Sequence, residues 1–147
     1  MTETTLREIT RETLGELLRL EVREDQRRFV ANNAVSIAQA HFTPTAWFRG
    51  IYADDTPVGF VMLDLCSEDE GQVWVWRLMI DQHHQRRGHG RRAMQQVIDH
   101  VRALGTNDAL YVSYVPGDGN PSPLYLGLGF QDTGREEHGE RILRLPL

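Results

Sequence analysis

One stretch limits the possible folds of this chain more than any other. The run Val73-Trp74-Val75-Trp76-Arg77-Leu78-Met79-Ile80 is followed by a polar loop, Asp81 to Arg87, and then by Gly88-His89-Gly90-Arg91-Arg92. A nearly continuous apolar run of β-branched and aromatic residues predicts a central strand covered on both faces. Beyond the glycines, Ala93, Met94, Val97, Ile98, Val101 and Leu104 recur at helical spacing and make one apolar stripe, with Gly105 placed to end it. Strand, glycine turn and amphipathic helix in that order require a helix laid on a sheet.

The remaining pattern fills in that sheet. Residues 6–9 predict a short first strand. Thr10 or Thr13 can cap a helix carrying Leu14, Leu17, Leu18 and Val22, and a second helix begins near Ser36 and ends before Pro44. Residues 47–65 predict an antiparallel hairpin turning at Asp54-Asp55-Thr56-Pro57. Leu110 to Tyr114 is a further strand. A loop rich in Gly and Pro, Pro116 to Pro121, opens a short helix from Ser122 to Leu128, and two last strands, 130–135 and 141–145, turn around His138-Gly139. The expected order is β α α β β β α β α β β. This is an α/β (α+β) domain spanning 1–147, with a mixed, mostly antiparallel sheet of six to seven strands and about four helices.

The glycine turn has a chemistry of its own. The first amides of a helix lack intrahelical partners and carry the positive end of its dipole. Gly88 and Gly90 lack Cβ atoms and let an anion approach the backbone. Arg86, Arg87, Arg91 and Arg92 add charge-assisted donors. Together they suit a diphosphate, although the same residues would also serve as a plain turn beside a solvated charge run. No Gly-Lys-Ser/Thr follows, so this is not a Walker loop, and G-x-G-x-x-G of a dinucleotide fold is absent.

Composition excludes several classes. The 147 residues carry a formal net charge of −5, against a general nucleic-acid role. No run of ~20 apolar residues suggests a membrane span. Met1 to Thr5 has no basic patch followed by an apolar stretch, so a cytoplasmic location is expected. The single cysteine, Cys66, lies in the run Phe60 to Cys66 and is expected to pack as a buried or half-buried thiol. His83-His84 lacks the further ligands a metal would need, so no metal is expected.

Gln85-x-x-Gly88-x-Gly90 after an apolar strand resembles the acyl-CoA-binding motif of the GNAT N-acetyltransferases, and Leu124-Tyr125-Leu126-Gly127-Leu128-Gly129-Phe130 resembles that family's L-Y-x-x-x-G-F signature. One helix and one strand separate the two motifs, as in the family, and the likeness runs along nearly the whole chain. Gln26-Arg27-Arg28-Phe29-Val30, Tyr52-Ala53-Asp54-Asp55, Val58 to Met62 and Arg77 to Asp81 are most similar to small bacterial spermine/spermidine acetyltransferases.

The resemblance implies acetyl-CoA as co-substrate and a primary amine, polyamine in class, as acceptor. It implies a splayed central strand pair. There the backbone of Leu78 and Ile80 meets the pantetheine amides, with Met79 between them. Gln85 fixes the turn, and the amides of Arg86, Arg87, Gly88, His89, Gly90 and Arg91 hold the pyrophosphate. Tyr125 is implied as the acid that protonates the leaving thiolate; read without the motif it is a core aromatic on a helix. The position where many members carry an asparagine is Asp118 here, with Asn120 two residues on, and either side chain could contact the cofactor.

Glu70 is the expected base, with Asp64, Glu21 and Glu24 as alternatives. Glu21, Glu24 and Asp25 fall where the family shapes its acceptor site, and acidic groups there would suit a polyamine. A homodimer is expected by resemblance. Other amines (an aminoglycoside, an amino acid, a protein amine) and a non-catalytic CoA-binding module remain as alternative readings.

Overall fold

The computed structural model describes residues 2–147. The chain runs β1 (Thr4–Arg7), α1 (Leu14–Arg19), α2 (Asn33–His41), β2 (Ala46–Ala53), β3 (Thr56–Asp64), β4 (Val73–Ile80), α3 (His89–Leu104), β5 (Ala109–Tyr114), α4 (Ser122–Gly127), β6 (Gln131–Glu137) and β7 (Glu140–Pro146), with a 3-10 turn at Glu24–Gln26. This is the order expected from sequence. The strands form one seven-stranded sheet ordered β1-β2-β3-β4-β5-β7-β6. Every neighbouring pair is antiparallel except β4 and β5.

Helix α3 crosses one face against β1, β2 and β4, while α1 and α2 lie on the other against β3 and β2. Ala93, Met94, Val97, Ile98 and Val101 of α3 are buried, each of the larger aliphatic side chains contributing on the order of 1.5–3 kcal/mol. They pack on Val61, Leu63, Val73 and Val75 in the larger core. Phe60, Met62 and Met79 form the smaller core beneath α1 and α2. Among the described residues no helix is long and apolar enough to cross a membrane.

Four sequence expectations shift. Helix α2 begins at Asn33 rather than near Ser36, because Asn32 caps it, its Oδ1 accepting from Val35 N (2.9 Å). The first strand is Thr4–Arg7 rather than 6–9. Thr4 is buried, and its hydroxyl accepts from Arg92 Nε (3.0 Å), a polar anchor that a search for apolar periodicity passes over. Helix α1 ends at Arg19 because Leu20 is extended. Beyond it, Glu21 N donates to Asp81 Oδ1 (2.9 Å) and Gln82 N to Glu21 O (2.8 Å), so tertiary pairing overrides the helical pattern that ran on to Val22. Cys66 is exposed rather than buried, because β3 stops at Asp64, whose carboxylate accepts from Cys66 N (3.1 Å) and turns the chain outward.

Candidate active site

Strands β4 and β5 pair only at Val73↔Leu110, Trp74↔Tyr111 and Val75↔Val112. Beyond Val75, β4 continues to Ile80 bonded to β3 alone, and β5 continues to Tyr114 bonded to β7 alone. The two strands therefore part, and from Trp76 onward β4 has no β5 partner across the gap, although side chains take two of its carbonyls, Arg77 Nη1 that of Trp76 and Gln85 Nε2 that of Ile80. A β-bulge contributes: Met62 pairs with Arg77 and Leu63 with Val75, leaving Trp76 as the extra residue. Bulges bend the strand and re-aim its side chains. A cavity of about 750 Å³ fills the gap, and Leu78, Met79 and Ile80 line it.

At the end of β4 the chain enters the glycine turn. Gln85 Nε2 donates to Ile80 O (2.9 Å) and to Gln26 Oε1 (2.8 Å), and Gln85 Oε1 accepts from Arg23 Nη1 (2.9 Å), so Gln85 ties the turn to the strand end and to the segment after α1. Buried Asp81 holds the other side, accepting from Glu21 N and from His83 N (3.1 Å). Arg86 (φ 63°) and Gly88 (φ 82°) are both left-handed, an arrangement that curls successive amides into an anion-binding nest. The first α3 bond is Arg92 N to Gly88 O, and the amides from Gln85 to Arg91 find no acceptor among the described residues. The residues present thus fit a diphosphate. Gly88, with its positive φ, needs to be glycine; Gly90 is helical and has ordinary room for a Cβ.

The arginines divide by task. Arg92 is spent internally, on Thr4 Oγ1 and on Arg87 O (2.8 Å), while the Arg86 and Arg87 guanidinium groups make no protein hydrogen bond among the described residues. His89 is buried at the first helical position, its Nδ1 3.3 Å from Thr4 Oγ1. Burial lowers its pKa, and Arg92, His84 and Arg87 lower it further. Asp81 and His89 both position the turn, and no separate signal in the chain marks either of them.

Tyr125 lies on α4, four per cent exposed, with its ring edge against Phe130 (5.5 Å). It lines the same cavity. Burial pushes its phenol far above the ordinary range, which keeps it protonated. Asn120 also lines this cavity; its Oδ1 accepts from Ser122 N (2.8 Å) at the start of α4. Asp118 is exposed and does not line the cavity, and its carbonyl accepts from Arg28 Nη2 (3.0 Å).

A second cavity, about 650 Å³, opens on the α2 side of the sheet, beyond that helix. It meets the first at Phe29, Val30, Val75, Trp76, Arg77 and Ser113, which line both. Trp74 lines it and stacks on Tyr111 (5.3 Å), and the acidic residues Asp64, Asp69, Glu70, Glu137 and Glu140 line it as well. Arginines are present too. Arg135 binds Glu137 (2.6 Å). Arg77 is held by Trp76 O (2.9 Å) and Gln39 Oε1 (3.0 Å), and has no carboxylate within ion-pair distance among the described residues. Its pKa is lowered by burial, against the opposing effect of Glu140.

Glu70 therefore shares this cavity, but Glu21, Glu24 and Asp25 line neither one. Glu21 faces Arg27 (3.8 Å) and Asp25 binds Arg23 (3.2 Å), while their neighbours Val22, Arg23 and Gln26 reach the first cavity.

A mixed sheet parted beside its central strand, with a turn of unpartnered amides at one end of the gap and a buried tyrosine along it, defines an acyl-CoA-dependent N-acyltransferase. A family model described as Acetyltransferase (GNAT) family matches residues 5–130, and the chain belongs to that family. It is 28% identical over 148 residues to a Bacillus subtilis subsp. natto (strain BEST195) protein named "Probable spermine N(1)-acetyltransferase", and 27% identical to the spermine/spermidine N(1)-acetyltransferase of Bacillus subtilis (strain 168); each alignment covers 94% of this chain and 95% of the relative. Among solved structures, an acetyltransferase from Thermus thermophilus matches with a TM-score of 0.77 at 17% identity, covering 98% of this chain and 97% of that one. The PaiA N-acetyltransferase from Thermoplasma acidophilum, in complex with coenzyme A, matches with a TM-score of 0.71 at 14% identity and 99% coverage of both. These structures share the fold.

Proposed function

We propose that this acetyltransferase moves an acetyl group from acetyl-CoA to a primary amine of a polyamine such as spermidine or spermine, by direct attack in a ternary complex. The observation that carries this reading is the meeting of two cavities at the parted strands. One side fits a diphosphate and an extended amide-bearing chain, and the other offers the Trp74 and Trp76 rings with acidic residues around them. Cations are attracted to aromatic faces and to carboxylates. The two curated Bacillus relatives, named for spermine, add support for the acceptor class.

In this reading acetyl-CoA supplies the activated acetyl group as a thioester. Backbone groups of Leu78 and Ile80 that β5 leaves without a partner receive the pantetheine amides as an added strand would, with Met79 between them and the Ile80 carbonyl already held by Gln85. The free amides of Arg86 to Arg91 take the pyrophosphate, Gln85 braces the turn, and Asn120 borders the cofactor. Tyr125 holds the proton that the departing sulfur takes. Glu70 contributes negative charge to the acceptor cleft.

Arg77 favours a second reading, an amine that also bears a carboxylate, such as an amino acid, because its guanidinium faces the gap without an anionic partner. A cytoplasmic location and a homodimer, the latter on family resemblance, are part of the same proposal. The test is a thiol-release assay with acetyl-CoA across spermine, spermidine, aminoglycosides and amino acids. Preference for spermine and spermidine is expected. Thiol release with amino acids alone supports the second reading, and CoA binding with no acetyl-dependent release from any amine overturns both in favour of a non-catalytic module.

A further inference from the structure

Polyamine nitrogens arrive as ammonium ions, so the reaction proposed above needs a group to take a proton before attack. The geometry points to Glu140, at the start of β7, as the residue that draws this proton through the Ser113 hydroxyl. This inference rests on the proposed amine acetylation and names a part of it.

The reacting nitrogen has to sit where the two cavities join. Of the side chains that line both, Phe29, Val30, Val75 and Trp76 cannot relay a proton, and Arg77 is a cation. Ser113 alone has a group that can accept one proton while giving up another. Along β5, Tyr111 stacks on Trp74, which lines the acceptor cavity, while Val112 packs into the α3-side core. By strand alternation, Ser113 projects on the acceptor side. Ser113 Oγ lies 3.4 Å from Glu140 Oε1, a long contact of the kind that tightens once substrate is bound. Glu140 lines the acceptor cavity and acts electrostatically on Arg77. It therefore stands beside both walls of the gap.

The other carboxylates of this cavity are engaged or remote. Asp64 accepts from Thr45 Oγ1 (2.6 Å) and Cys66 N (3.1 Å). Glu137 is bound by Arg135. Asp69 and Glu70 both precede β4, and the step from Val73 to Trp76 alone covers roughly 10 Å at about 3.3 Å per residue. Glu140 has no ion pair within contact distance among the described residues. Arg77 adds to the effect, since a cation at the junction disfavours the protonated form of a neighbouring amine.

The protons balance. One N–H bond of the ammonium breaks and its electron pair stays on nitrogen. That proton passes to Ser113 Oγ as the hydroxyl proton passes to Glu140. The nitrogen lone pair forms the C–N bond at the thioester carbonyl, and the C–S bond breaks with its pair on sulfur. Nitrogen sheds its second proton as the amide forms, sulfur takes one from the Tyr125 hydroxyl, and the phenolate left on Tyr125 recovers the proton shed by nitrogen by exchange through water. The net proton released to solvent is the one Glu140 carried. Glu140 is thus a positioning residue acting through Ser113.

The test is kcat and KM with spermidine between pH 6 and 10 for Glu140→Gln, Ser113→Ala, the double variant and Glu70→Gln, with acetyl-CoA titration of each to confirm an intact cofactor site. Glu140→Gln should lower kcat/KM on the order of 100-fold near pH 7, and the defect should shrink as pH rises toward the amine's own pKa. Ser113→Ala should show the same pH-dependent loss, and the double variant no more than either single one. Glu70→Gln should raise KM without bending the profile. A loss that is constant with pH, additive losses in the double variant, or a bent profile for Glu70→Gln alone would each overturn the relay. Wild-type turnover in the amine panel tests the function itself. If another amine proves to be the substrate, the same profiles are read with that amine.

Discussion

The two sides of the gap between β4 and β5 are made of different materials. The proposed cofactor side is mostly backbone: a strand edge from Trp76 to Ile80 without a β5 partner and donor amides from Gln85 to Arg91 without acceptors among the described residues. The proposed acceptor side is mostly side chain: Trp74, backed by Tyr111, with acidic residues and arginines mixed along the walls. A backbone site depends on where the chain turns and can be disturbed only by changing the turn. A side-chain site can be rewritten one residue at a time. The chain shares its fold with acetyltransferases at 14–17% identity.

The contrast can be broken most sharply at Gly88. A β-branched residue at φ 82° is strained whatever the space around it, and its Cβ would also meet Arg92 Nη1 at 2.6 Å. Strain of about 1–3 kcal/mol plus a displaced nest should weaken acetyl-CoA on the order of 100-fold in Gly88→Val, measured by calorimetric titration. Unchanged affinity would mean that the turn does not hold the diphosphate. Tyr125→Phe should lower kcat by about the same factor while leaving acetyl-CoA affinity within about twofold; equal kcat would remove the acid role.

On the acceptor side the expected effects are smaller and selective. Trp74→Ala should raise KM for spermidine roughly fivefold, the size of a cation–π contact of about 1 kcal/mol, and leave acetyl-CoA affinity alone. A loss of acetyl-CoA binding instead would show that the two sides are not separable. Arg86→Ala should weaken acetyl-CoA only a few-fold at low ionic strength and less in ~0.5 M salt, because an exposed charge is screened.

The smallest expected effect concerns His89. Its folded pKa is lowered, so the unfolded chain binds more protons as pH falls through the ordinary histidine range near ~6.5. Folded stability should therefore be fully present above that range and decline below it. Glu or Asp titration aside, His89→Gln should flatten the fall in Tm between pH 7 and 5, and a parallel fall in both proteins would count against a neutral buried ring.

What could be read in the sequence follows the same division. The strand Val73–Ile80, the glycine turn and the stripe of α3 announced themselves because backbone sites need special residues and regular periods. The element order followed from them. The bulge at Trp76 did not show, since nothing in Val73 to Ile80 says which residue will lack a partner on β3. The buried polar anchors Thr4, Asp81 and His89 were invisible to a reading based on apolar spacing. Glu21, Glu24 and Asp25 were judged by charge, yet none of the three lines either cavity, and Arg27 and Arg23 engage two of them, Glu21 and Asp25. Ser113 and Glu140 stand far apart in sequence and meet only because β5 pairs with β7.

Amide NMR gives the most direct test of the parted strands as the cofactor site. Adding acetyl-CoA to the 15N-labelled protein should shift the amides of Leu78, Ile80 and the run from Arg86 to Arg91 and slow their exchange with solvent, while the β2–β3 hairpin stays unmoved. Saturation with acetyl-CoA that leaves those amides unchanged, or that perturbs a different face of the sheet, would contradict it.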